Sequence, residues 1–116
     1  MNGTYKLIGR LGSGSSACEA MLALSSLPYE TEDLDHWPDR QPPAGLTALN
    51  PLGQVPVLIL PDGTVLTESA AIVMHLANLA KPAKLAPDAG TPEHAQYLRL
   101  MLFLAANVYM TDLCWY

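Results

Sequence analysis

Apolar and polar positions change rhythm several times along the chain, and each change marks an element. The opening TYKLIG is short, rich in strand formers and ends in glycine, which predicts a buried strand over about residues 4–9, with RLGSGSS as the turn that follows. Apolar residues then recur at Ala17, Ala20, Met21, Leu24 and Leu27, the spacing of one helix face. Ser16 and Glu19 have the separation of a capping box, in which each side chain satisfies a free backbone donor of the other. Pro28 stops this helix, and YETEDL, with Tyr29 and Leu34 among acids, reads as a second strand whose polarity suits a sheet edge.

Residues 35–49 are rich in proline and polar groups without clean periodicity, which predicts a loop with room for one short helical turn. VPVLIL and TVLT then flank Pro61-Asp62-Gly63, and the Asp-Gly pair favours a hairpin, so two antiparallel strands are expected. From Ser69 the helical rhythm returns: Ile72, Val73, Leu76 and Leu79 or Ala80 share a face, with His75 and Asn78 turned away, until Lys81-Pro82. The order is βαβ followed by ββα, an α/β arrangement. PAKLAPDAGT, residues 82–91, has the composition of a linker, and Thr91-Pro92 is an N-cap with proline in the first turn of a further helix. That helix has almost no polar side between Leu100 and Ala106, so it must be buried on most sides. The remaining residues supply no partner for it, and the expected cover is either further helices of a longer α-helical domain or another subunit.

Composition narrows the classes. Of the 116 residues 50% are hydrophobic and 15% charged, which excludes a disordered chain and fits a compact fold. The net charge is −5 and the six basic residues are scattered, so no basic stripe exists to follow a nucleic-acid backbone. The N-terminus lacks the basic flank and apolar core of a secretory signal, and no stretch reaches the roughly 18 apolar residues of a membrane span, so a cytoplasmic location and no membrane partner are expected. Cys18 and Cys114 are far apart and form no CxxC; both read as small buried hydrophobes. His75 and His94 have no metal-ligand spacing, and no metal site is expected.

The order of elements, together with NPLGQVPVL, LPDGTVLTESAAI and GSGSS, resembles the glutathione transferase family, specifically a bacterial branch with serine at the thiol. The resemblance covers essentially the whole chain. It implies a thioredoxin-like glutathione-binding domain over 1–81, a linker over 82–91 and, over 92–116, the first helix of an all-α C-terminal domain that is incomplete here, as in a truncated chain. It also implies a cis Val55-Pro56 peptide, because proline brings the cis form within about 1 kcal/mol.

The implied chemistry is conjugation of glutathione thiolate, glutathione being co-substrate, to a small hydrophobic electrophile in a homodimer. Val55 presents its N–H and C=O to an extended tripeptide as an added strand would. Glu68 complements the γ-glutamyl amino group, while Ser69 caps the next helix and its first N–H groups face the α-carboxylate. A thiol near pKa 8.5 needs a donor to persist as thiolate at neutral pH. Counting back from LPYE places Ser13 closest to the family's catalytic serine and Ser15 second, Ser16 being assigned to the capping box; the alternative puts Gly14 at the family's cysteine position with no side chain involved. Tyr5 lies too early in the first strand for the tyrosine role of other branches. Gln54, Arg40 and His36 are candidates for the glycine carboxylate. Two other functions stay open: a non-catalytic binding or assembly module of the same fold, and a thiol-disulfide redox domain, for which Cys18 stands two residues too late.

Overall fold

The computed structural model describes residues 3–80 and 84–109. Four strands, β1 (Tyr5–Gly9), β2 (Tyr29–Asp33), β3 (Val57–Ile59) and β4 (Val65–Thr67), form one mixed sheet in the order β2-β1-β3-β4. β1 runs parallel to β2, with Tyr5 opposite Tyr29 and Gly9 opposite Asp33, and antiparallel to β3, with Leu7 opposite Leu58. β3 and β4 make the expected hairpin around Asp62-Gly63. β2 is exposed along its whole length, as its acidic sequence requires of an edge, and Lys6 pairs with Glu32 across it.

Side-chain alternation gives the sheet two apolar faces. Tyr5, Leu7 and Leu58 pack with Cys18 and Leu22 of α1 (Ser15–Ser25) and with Ile72 and Leu76 of α3 (Ser69–Leu79). Ile8 and Val57 point the other way, onto Leu46 of α2 (Ala44–Leu49), with Trp37 and Leu49 closing that layer. The expected loop over 35–49 therefore contains a six-residue helix as well as a 3₁₀ turn at Pro38–Arg40. A single buried leucine anchors it, too little for periodicity to reveal.

Five expectations on the helices are corrected. α1 starts one residue before Ser16, with Gly14 as N-cap and no side-chain cap, so the capping box of Ser16 and Glu19 does not form; both residues are exposed. Its buried face is Ser15, Cys18, Leu22 and Ser25, with Met21 and Leu27 half-buried, whereas Ala17, Ala20 and Leu24 face outward. The small Cys18 and Ser15 permit close packing, which decides the rotation of the helix. Ser26 at φ 60° ends α1 two residues ahead of Pro28. On α3 the N-cap is Glu68, Ser69 is the first helical residue, and His75 is half-buried rather than turned away. Ala80 and not Leu79 continues its buried face.

α4 (Pro92–Phe103) begins as predicted, the Thr91 hydroxyl accepting from the His94 N–H at 3.2 Å. At Leu104 it widens into a π-helical turn, Leu104–Tyr109. Leu100, Leu102, Phe103 and Leu104 stand about half exposed, Leu102 most at 62%. Cys114 lies outside the described residues.

Candidate functional site

The carboxyl end of β1, the segment before β3 and the amino end of α3 border one cleft of about 450 Å³, within the roughly 300–1,000 Å³ of small-molecule sites. Of the residues singled out in the sequence, Ser13, Gln54, Val55, Pro56, Glu68 and Ser69 line it. Ser15, Arg40 and His36 do not.

The segment 50–56 is built by its own motif. Asn50 is buried; its Nδ2 donates to the Gln54 carbonyl at 3.0 Å and its Oδ1 accepts from the Leu52 N–H at 3.1 Å, closing a turn completed by the Gly53 N–H on the Asn50 carbonyl at 2.8 Å. Gly53 takes φ 63°, and a methyl group there would stand 2.4 Å from the Pro42 ring, so both the conformation and the space require glycine. The turn delivers a cis Val55-Pro56 peptide at the start of β3. Neither the N–H nor the C=O of Val55 bonds within the described residues, leaving a strand-like donor and acceptor at the cleft.

Glu68, between β4 and α3, is held at φ 70°, an uncommon conformation for a residue with a side chain and one that recurs at ligand clamps. Its carboxylate lines the cleft without an ion pair among the described residues. Ser69 follows at the first turn of α3, where N–H groups are free.

The serines divide by burial. Ser15 is 5% exposed; its Oγ accepts from the Arg10 N–H at 3.2 Å and reaches the Arg10 carbonyl at 3.1 Å, tying the β1–α1 turn together. Ser13 is half-buried on the cleft wall, its Oγ 2.8 Å from Ser15 Oγ and donating to the Arg10 carbonyl at 2.6 Å. Because Ser15 can also satisfy that carbonyl, the Ser13 proton is able to turn into the cleft without stranding a buried acceptor.

Cys18 is fully buried one turn into α1, and burial pushes its thiol up to about 12. A redox cysteine needs the opposite environment, exposed with a lowered pKa, so Cys18 does not serve as one.

The cleft also contains residues that sequence reasoning missed. Arg10 lines it, its guanidinium 4.8 Å from the centre of the Trp37 ring and donating to His36 Nδ1 at 3.3 Å. His36 thus stands behind the cleft as a support for Arg10. A cation directly after the first strand and next to GSGSS was the available signal; its stacking partner 27 positions on was not. Tyr109, from the π-helical turn, closes the opposite side with Ala105. Beside it lies a second, almost wholly apolar cavity of about 210 Å³ between Ala17, Val73, Met101 and Leu104.

The arrangement, with a proline-led strand and a helix N-terminus facing one cleft, is thioredoxin-like. A family model for the glutathione S-transferase N-terminal domain matches residues 15–79. An uncharacterized GST-like protein of Escherichia coli K12, YncG, is 39% identical over 91% of this chain and 51% of its own length. Glutathione S-transferase GST-4.5 of Xanthomonas campestris pv. campestris is 32% identical over 91% of this chain and 50% of its own. A crystal structure of a glutathione transferase homologue from Sulfitobacter with bound glutathione superposes at TM-score 0.83 and 31% identity, covering 94% of this chain and 52% of that one. The chain belongs to the glutathione S-transferase family, and it spans about half the length of the curated relatives it matches.

Proposed function

We propose that this chain is the glutathione-binding part of a glutathione transferase that conjugates the thiolate to a small hydrophobic electrophile. The observation that carries this reading is the convergence of Ser13, Val55, Glu68 and Ser69 on one cleft. Glutathione lies extended across it. Glu68 takes the γ-glutamyl amino group, the Ser69 end of α3 takes the α-carboxylate, and the free Val55 N–H and C=O pair with the cysteinyl backbone. The thiol then falls at the N-terminus of α1, where the Ser13 hydroxyl and the helix favour its ionised form. Arg10, with Gln54 beside it, faces the glycine carboxylate, a role for which Trp37 and His36 hold it. The adjoining apolar cavity suits the electrophile, and rate comes from positioning and thiolate stabilisation rather than from covalent catalysis. The glutathione bound in the Sulfitobacter homologue supports the reading.

Calorimetric titration with glutathione tests it. Binding in the micromolar to millimolar range is expected, with a loss of tenfold or more in Glu68→Ala. Arg10→Ala should weaken glutathione similarly while leaving γ-glutamylcysteine, which lacks the glycine carboxylate, unaffected. No binding to folded protein would overturn the assignment and favour a non-catalytic assembly module of the same fold.

A further inference from the structure

We propose that the Tyr109 hydroxyl is a second hydrogen-bond donor to the glutathione thiolate; this rests on the binding reading above. The observation is a close approach between two parts of the chain far apart in sequence. A methyl group on Gly14, the N-cap of α1, would stand 2.9 Å from the Tyr109 hydroxyl oxygen and 3.7 Å from Ser69 Cβ. The phenol oxygen therefore sits where the amino ends of α1 and α3 converge, occupying the space a side chain at position 14 would fill. Tyr109 also lines both the polar cleft and the apolar cavity, so its hydroxyl is at their junction, where the sulfur must stand to meet an electrophile.

The Ser13 proton is engaged by the Arg10 carbonyl at 2.6 Å and must be released before it can serve sulfur. The Tyr109 hydroxyl has no partner among the described residues, and a phenolic O–H donates without rearrangement. A sulfur anion placed between Ser13 and Tyr109 would gain a donor from each side, in addition to the favourable dipole at the amino end of α1, whose Ser15 and Ser16 N–H groups are already taken by Ser13. On binding, the thiol proton leaves to solvent and Tyr109 keeps its own. Glycine at position 14 is what admits the hydroxyl.

The test is an ultraviolet titration of thiolate absorbance in the complex of the 116-residue chain with glutathione, for the native chain, Tyr109→Phe and Gly14→Ala. Tyr109→Phe keeps the ring and should lower the thiolate fraction on the acid side of the titration by about tenfold, the effect of a charge-assisted hydrogen bond. Affinity for S-methylglutathione, whose thioether cannot ionise, should stay unchanged, which a merely structural role would not give. Gly14→Ala should act in the same direction, and combining it with Tyr109→Phe should add little. Glutathione bound with an unshifted titration in Tyr109→Phe overturns the proposal while leaving the binding reading intact. Slower conjugation with an unshifted titration also overturns it, assigning the hydroxyl to the electrophile. Absence of glutathione binding in the native chain overturns both.

Discussion

Ser13 and Ser15 both reach the Arg10 carbonyl, but only Ser13 lines the cleft while Ser15 is buried behind it, and the proposed chemical role of the first and structural role of the second follow from that difference. Ser15→Ala removes a buried group that serves both the N–H and the C=O of Arg10, so it should cost about 1–3 kcal/mol in denaturant unfolding. Ser13→Ala, on the cleft wall, should leave stability within about 1 kcal/mol yet reduce conjugation to a generic electrophile about tenfold or more at neutral pH. The reverse pattern would transfer the chemical role to Ser15. Cys18 supplies a pH dependence. Unfolded, its thiol titrates near about 8.5; folded, it is pushed up to about 12. Between those values the folded chain holds a proton that the unfolded chain has lost, so this contribution to stability is whole below the unfolded value and falls as pH rises through that window. In a Cys114→Ser background, Cys18 should resist alkylation at mildly alkaline pH and react only on unfolding. The sequence made the serine-rich turn legible as a candidate. It did not choose between its members, because the choice depends on Ser15 turning inward to take the Arg10 N–H while Ser13 is left on the cleft wall.

At the scale of elements, the NPLGQVP segment shows how a local motif fixes a site. Asn50 closes the turn and Gly53 fits under Pro42, and together they aim Val55 at the cleft. Gly53→Ala meets both a left-handed φ and a 2.4 Å approach, so it should destabilise by more than about 1 kcal/mol and weaken glutathione binding in calorimetry. Retention of full affinity in the folded variant would show that the turn does not set the Val55 geometry. The strands and α3 were readable because alternation and a long apolar repeat are strong local signals. The face of α1 was not: its alanines and leucines advertise one face, but close contact with the sheet selects the one carrying Ser15, Cys18 and Leu22.

At the scale of the molecule, α4 is out of balance with its surroundings. It buries none of its residues, and Leu100, Leu102, Phe103 and Leu104 present a continuous apolar run to solvent. Such a surface associates in water. Sedimentation of the 116-residue chain should show mass rising with concentration in the micromolar range, and Leu102→Lys combined with Phe103→Lys should return it toward the monomer. A clean monomer across that range in the unmodified chain would sink the homodimer expectation. Among the described residues no helix is long and apolar enough to cross a membrane.

What the sequence by itself determined is what short-range rules encode: an α/β order of elements, the hairpin at Asp62-Gly63, the proline-led strand, the Thr91 cap and the glutathione transferase resemblance carried by NPLGQVP and TES. These depend on neighbours within a few positions, which period and turn chemistry report directly. The tertiary structure decided which serine faces the cleft, that Arg10 stacks on Trp37, and that the Tyr109 hydroxyl reaches Gly14 across 95 positions. The last two are contacts between distant segments whose side chains carry no mark of their partner, and all three exist only once sheet register, helix rotation and the π-helical turn are set.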